Sequence, residues 1–150
     1  MDWITENIAI GNFLDAKKVP SVIDAILCLK EGCFCQSRED VDAFCVPLID
    51  GSGNSKKSVE EAINAIKDVV QEGGKTGGKI LVHCHAGQSR SVCIVAAYLM
   101  RRHEYSDEYK RMTKDEALAL IKEKRGYSLS IGIEEIFLLA RRGTLQPTQK

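Results

Sequence analysis

At 150 residues the chain is the size of one domain, long enough to hide roughly two-thirds of its unfolded surface around a continuous core. Its 21 Lys and Arg balance 21 Asp and Glu, so no global field draws in nucleic acid or an anionic membrane, and any preference for anions must be local. The longest apolar run, "VCIVAAYLM", is too short to cross a bilayer, and the start "MDWITENIAIG" reads neither as a secretory leader nor as a myristoylation signal. The expectation is a cytoplasmic protein whose cysteines (Cys28, Cys33, Cys35, Cys45, Cys84, Cys93) are thiols rather than a disulfide framework.

In chain order, "WITENIAIG" predicts one short strand. "VIDAILCL" (22 to 29) and "AFCVPLI" (43 to 49) predict two more, each apolar, partly β-branched and followed by polar turn residues. In "SVEEAINAIKDVVQEGG" the apolar positions Val59, Ala62, Ile63, Ile66, Val69 and Val70 recur at helical spacing. Ser58 and Glu61 form a capping-box pattern there, and Gly73 and Gly74 mark the end. The glycine-rich "GGKTGG" (73 to 78) leads into the strand "KILVH" (79 to 83), and "VCIVAAYLM" then reads as a helix buried on most sides. "TKDEALALIKEKRG" predicts a helix capped by Thr113 and Glu116 and stopped at Gly126, and "GIEEIFLLARR" predicts the last one. Strands alternate with helices early and helices gather late. That implies an α/β sandwich with a partly parallel central sheet, in which a crossover through residues 57 to 72 delivers the strand at 79 to 83. No repeat, low-complexity tract or boundary divides the chain, so residues 1 to 150 are expected to form a single domain.

The stretch "HCHAGQSRS" (83 to 91) sits between a strand and a helix, where unpaired N–H groups and the positive end of the helix dipole converge. Gly87 supplies a positive φ or room for a backbone that curls around an oxyanion, and Arg90 adds a planar fork suited to two phosphate oxygens. Cys84 at the mouth of such a nest is expected to ionise readily and to act as a nucleophile. An electrophile arriving as a dianion, with no metal needed, points to a phosphate monoester and a cysteinyl-phosphate intermediate.

The stretch resembles the signature of the cysteine-dependent protein phosphatases: His-Cys, five residues, Arg, then Ser or Thr. With "AYLM" following, it resembles in particular the small dual-specificity branch, and the likeness extends more weakly from "ITENIAIGNFLDA" through "KDEALALIKEKRG". The resemblance implies a phosphotyrosine-phosphatase-like three-layer sandwich, a loop of His85, Ala86, Gly87, Gln88, Ser89 and Arg90 that binds phosphate, and no cofactor. By the same resemblance Ser91 hydrogen-bonds the Cys84 sulfur and helps it leave, while His83 orients the loop. An aspartate on a separate loop, roughly thirty residues upstream, protonates the leaving oxygen. Asp50 stands there, after "AFCVPLI" and at the start of a flexible "DGSGNS" loop, whereas Asp40 and Asp42 precede the strand and belong to its opposite end.

Plainer readings stand beside these. Cys84 could be a buried structural thiol, Asp50 a turn residue, Ser91 a helix cap and His83 a core histidine. "HCH" could suggest a metal, but consecutive residues converge poorly on one ion and no second pair stands at ligand spacing. "CFC" (33 to 35) could be a redox pair, and Cys45 or Cys93 could protect an oxidised Cys84. The substrate expected is a phosphorylated protein, carrying phosphotyrosine and also phosphoserine or phosphothreonine. A phosphoinositide or RNA 5′-phosphate phosphatase is the alternative enzyme, and a phosphate-binding module with little activity the alternative class. No lysine occupies the variable loop positions, which argues against the lipid. "YSLSIGIEEIF" replaces the proline-rich turn usual in the resembled family, and "EYSDEYKR" lengthens the connection before it.

Overall fold

A computed structural model describes residues 1–32, 40–72 and 77–141. Gly73, Gly74 and the "CFC" cysteines Cys33 and Cys35 lie outside the described residues. Five strands, β1 (Asp2–Trp3), β2 (Ile8–Gly11), β3 (Ala25–Cys28), β4 (Asp42–Cys45) and β5 (Ile80–His83), form one sheet in the order β1-β2-β5-β3-β4. The pairs β2 with β5, β5 with β3 and β3 with β4 are parallel, and β1 alone runs antiparallel, along β2. The register aligns Gly11 and Cys28 with His83, and Cys45 with Cys28, so the four parallel strands end in one row. In open parallel sheets the loops beyond that row are where ligands bind.

The segment read as one short strand is a hairpin of two. The Thr5 hydroxyl accepts hydrogen bonds from the N–H groups of Asn7 and Ile8, both at 3.1 Å, and turns β1 back on β2. The two longer strands are shorter than their apolar runs. Pro47 has no N–H for the ladder, so regular pairing of β4 stops at Cys45, although Val46 and Leu48 still donate to Cys28 and Leu29.

Side chains alternate across the sheet as strand geometry dictates. Ile8, Ile10, Ala25, Leu27, Ile80 and Val82 face the main core, and Ala9, Ile26 and Leu81 face the other side. The main core is covered by α2 (Lys56–Glu72), α3 (Arg90–Arg101), α4 (Lys114–Lys124) and α5 (Glu135–Leu139), with a 3₁₀ turn over Arg102–Glu104. The opposite face carries the short α1 (Phe13–Lys17), which buries Ala16 beside Ile23, Ile26 and Val41. The sandwich therefore has three layers, one of them thin.

Helix α2 buries Val59, Ala62, Ile63 and Ile66 as its spacing predicts, but it begins earlier than the Ser58–Glu61 pattern implies. Ser55 Oγ accepts from the Ser58 N–H at 3.0 Å, so Ser55 takes the capping role and Ser58 sits inside the first turn. The Thr113–Glu116 box forms on α4 as predicted, with N–H to oxygen distances of 2.8 and 3.2 Å. The last helix begins later than "GIEEIFLLARR" implies, because Gly132 takes a positive φ of 86° that a helix does not pass through, and it ends at Leu139. Among the described residues no helix is long and apolar enough to cross a membrane.

Candidate active site

Strand β5 ends at His83 and α3 begins at Arg90, leaving Cys84 to Ser89 as a loop just beyond the row of strand ends. Gly87 is the residue that lets the loop close. Its φ is +69°, and a Cβ there would collide with the Gly11 carbonyl and lie 2.6 Å from Arg125 Nη2. Cys84 is 2% exposed and its Sγ stands 3.3 Å from Ser91 Oγ. Burial by itself pushes the thiol up. The Ser91 hydroxyl and the backbone N–H groups of Ser91, Gly87 and Ser89, all directed at the sulfur, outweigh it, and the net result is a thiol that ionises more readily than usual.

For Gly87 and Ser89 the N–H points at the sulfur while the carbonyl of the same peptide is bound on the outer side. A peptide plane carries its C=O and the following N–H in opposite directions. The Ala86 and Gly87 carbonyls accept from Arg125, at 3.3 Å from Nη2 and 2.8 Å from Nε, and the Gln88 carbonyl accepts from the Ser128 N–H at 3.2 Å. The Ser130 N–H donates to Ser89 Oγ at 3.0 Å, so Ser89, at the N-cap position of α3, does not cap it with its side chain. The stretch 125 to 130 thus forms an outer brace along the loop, in the region where the sequence departs from the resembled pattern.

Arg90 is buried and reaches across the strand ends. Its Nη1 donates to Leu48 O at 3.1 Å, Leu29 O at 3.5 Å and Glu31 Oε1 at 3.0 Å, while its Nε has no partner among the described residues. The guanidinium is thus anchored through Nη1 and keeps a buried donor, Nε, that no described residue satisfies. Ser91 lies within the first turn of α3 and not at its cap, and it faces the sulfur. His83 is buried, its Nδ1 is 3.3 Å from the Cys84 carbonyl, and burial pushes its pKa down. His85 is exposed and stacks on Phe13, with centroids 4.7 Å apart and planes at 11°. Ala86 and Gln88 are exposed, so they contribute backbone to the loop and present their side chains outward.

Asp50 is exposed and follows β4 at the same end of the sheet as Cys84, while Asp42 opens β4 at the other end. The "DGSGNS" loop that it begins carries several hydrogen bonds. Asn54 accepts from the Ile49 N–H at 2.7 Å and donates to the carbonyls of Ile49 and Gly51, and the Gly53 N–H donates to Glu135 Oε1 at 2.8 Å. Cys93, buried in α3, is pushed up to about 12 by burial and by the charges of Glu134, Asp50 and Cys84. Among the described residues no three His, Cys, Asp or Glu side chains gather as a metal ligand set, His83, Cys84 and His85 included.

Sequence reasoning passed over Arg125, Phe13, Ser128 and Ser130. Arg125 closes a helix, where a basic residue is ordinary, and only its position in "KEKRG" before an atypical turn could have marked it.

The sequence matches the family model for the dual specificity phosphatase catalytic domain over residues 4–139. It is 35% identical over 102 residues to dual specificity protein phosphatase PHS1 of Arabidopsis thaliana, a match covering 65% of this chain and 11% of that protein. It is 36% identical over 84 residues to dual specificity protein phosphatase 1 of Arabidopsis thaliana, covering 56% of this chain and 39% of that protein. The matched segments thus span well under half the length of these curated relatives. The fold resembles that of the human tyrosine phosphatase-like serine/threonine/tyrosine-interacting protein, with a TM-score of 0.73 over 92% of this chain and 93% of that one, at 22% identity.

Proposed function

Because the chain belongs to the dual specificity phosphatase catalytic domain family, we propose that it hydrolyses phosphate monoesters on proteins, phosphotyrosine and also phosphoserine or phosphothreonine, through a cysteinyl-phosphate intermediate on Cys84. The observation that carries this reading is the pairing of a readily ionised, donor-surrounded Cys84 with a buried Arg90, anchored at the start of α3, whose Nε has no partner among the described residues. A loop that stabilises a thiolate by converging N–H groups can stabilise the equatorial oxygens of a transferring phosphoryl group by the same means.

In the first step the Cys84 thiolate attacks phosphorus, the bond to the leaving oxygen breaks, and Asp50 delivers the proton that oxygen needs. In the second, water attacks the phosphorus, Asp50 takes a proton back, and the S–P bond breaks with the electron pair returning to sulfur. The Ser91 hydroxyl, 3.3 Å from Sγ, stabilises the departing thiolate. His83 holds the start of the loop through its ring nitrogen, and the N–H groups of residues 85 to 90 with Arg90 hold the phosphate without a metal. The loop, the brace and Arg90 all fall within the family match, so the chain itself is the catalytic unit proposed. Cys84 and Cys93 are free thiols, and a reducing compartment such as the cytoplasm suits a mechanism that depends on one of them.

The test is turnover of phosphotyrosyl and phosphoseryl peptides, a phosphoinositide and a 5′-phosphorylated RNA, with acid quenching to trap phosphate on Cys84. Peptide turnover with label on Cys84 is expected, together with loss of turnover but retained phosphate binding in Cys84→Ser. Turnover confined to the lipid or the RNA, or none with any ester, would refute the reading.

A further inference from the structure

Arg125 stands at the C-cap of α4, and each of its guanidinium nitrogens is engaged. Nε donates to Gly87 O at 2.8 Å, Nη2 to Ala86 O at 3.3 Å, and Nη1 to Asp2 Oδ2 at 2.7 Å. The Ala86 carbonyl belongs to the peptide whose N–H, that of Gly87, is directed at the Cys84 sulfur. The Gly87 carbonyl belongs to the peptide whose N–H is that of Gln88. Turning both carbonyls toward Arg125 therefore turns both N–H groups into the nest. A rotated peptide would present a carbonyl oxygen to the thiolate and to any oxyanion, reversing the sign of the interaction. Asp2, on the edge strand β1, fixes the guanidinium from the other side, so two segments remote in sequence meet behind the loop.

We propose that Arg125 is the positioning residue of the oxyanion loop: by gripping the Ala86 and Gly87 carbonyls from outside it aims the loop N–H groups at the reacting sulfur and at the phosphoryl oxygens, with Asp2 holding the guanidinium in place. The inference rests on the reading of Cys84 as the reacting centre, yet it makes its own claim. The grip is a bidentate fork on two adjacent carbonyls, which an ammonium cannot reproduce. Asp2 is nearly half exposed, so its share of the effect is the smaller.

The experiment follows the pH dependence of iodoacetamide alkylation at Cys84, read by peptide mass spectrometry, in wild type, Arg125→Ala, Arg125→Lys and Asp2→Asn. A neutral alkylating agent reports thiolate population without requiring turnover, so a protein inactive on every ester still answers this question while its inactivity refutes the proposed function. Protection of Cys84 by inorganic phosphate is measured alongside. Arg125→Ala is expected to move the alkylation midpoint up by about one pH unit, a tenfold change in the ionisation ratio. Phosphate protection should weaken by about the same factor. Arg125→Lys should show most of this loss, and Asp2→Asn a smaller shift in the same direction. A long-range charge effect would fade at 1 M NaCl, where the screening length is about 3 Å, whereas an effect of peptide orientation persists. An unmoved midpoint in folded Arg125→Ala, or a shift abolished by salt, would overturn the proposal. If Arg125→Ala does not fold, the lysine variant decides, and a wild-type midpoint there overturns it equally.

Discussion

Replacing Ser91 by alanine isolates the side-chain contribution to the proposed nucleophile, because it deletes the hydroxyl 3.3 Å from Cys84 Sγ and keeps the backbone N–H of residue 91. A hydrogen bond to a charged group contributes about 1.5–3 kcal/mol, and the lower end applies where three backbone N–H groups share the sulfur. At about 1.4 kcal/mol per unit, the Cys84 pKa should rise by about one unit. The sign is fixed by which form loses support: the thiolate loses a donor, so the thiol gains. The rising, acid-side limb of kcat/KM for an aryl phosphate should therefore move about one pH unit higher, with a roughly tenfold deficit below the limb and recovery above it. Because the same hydroxyl supports sulfur as a leaving group, kcat should fall further than kcat/KM, with a burst of the first product as phosphoenzyme accumulates. Stability should respond in step. A thiol whose pKa is depressed by folding adds stability that is fully present above the unfolded value, about 8.5, and is lost as pH falls through the folded one. The wild type's advantage over Ser91→Ala in denaturant should therefore widen as pH rises into that window. The measurements are pH–rate profiles of both proteins and denaturant melts at several pH values. Superimposable acid limbs would refute the reasoning, whereas mere misfolding would lower the whole profile without moving it.

Arg90→Lys should lower kcat/KM by about two to three orders of magnitude in steady-state assays, since one ammonium cannot both anchor on Leu48 O and Leu29 O and span two phosphate oxygens. Gly87→Ala should lower the thermal midpoint and abolish phosphate protection of Cys84, because its Cβ would meet the backbone carbonyl of Gly11, which cannot swing aside, at a φ costing about 1–3 kcal/mol. Asp50→Asn should slow alkyl phosphates far more than aryl ones in steady-state assays, and equal slowing of both would move the acid elsewhere. Cys93, pushed up to about 12, should stay unalkylated in the native protein at pH 8 while Cys84 reacts, as peptide mass spectrometry can show.

The parts of the site written in consecutive residues were the legible ones. From His83 to Ser91 strand end, positive-φ glycine, proposed nucleophile and helix start follow one another, so the chemistry could be argued without knowing what lies nearby. The brace could not be read in this way, because nothing local distinguishes Arg125 from any basic residue at a helix end; its meaning comes from Gly87 and Asp2, both far away in sequence. The same division runs through the fold. Apolar periodicity placed the sheet strands and α2, yet Pro47 cut short the β4 ladder and Ser55 displaced Ser58 as cap. Helix α1 is too short to show a period, and only the Asn12–Asp15 capping box, with N–H to oxygen distances of 2.9 Å in each direction, announces it. The bonds of Asn54 and Glu135 to the loop after Asp50 were equally invisible, since Glu135 lies 82 positions from Gly53.

Two cysteines of one strand-loop-helix unit show what the loop contributes beyond concealment. Cys84 is 2% exposed and Cys93 0%, so burial pushes both thiols in the same direction, upward. Cys93 stays there, since the neighbouring charges of Glu134 and Asp50 add to the penalty. Cys84 ends on the other side of its ordinary value because a hydroxyl and three N–H groups meet at its sulfur. Desolvation then works in favour of reactivity, because donors fixed in a dry site interact more strongly with a thiolate than the same donors would in water. For that reversal the loop peptides must already be oriented before substrate arrives. Their carbonyls must be bound elsewhere, and the groups that bind them, Arg125 and the Ser128 N–H, lie on the outer wall of the loop, away from the nest. The reactivity proposed for Cys84 is therefore a property of two layers of structure, the loop that surrounds the sulfur and the segment behind it that keeps the loop's dipoles pointing inward.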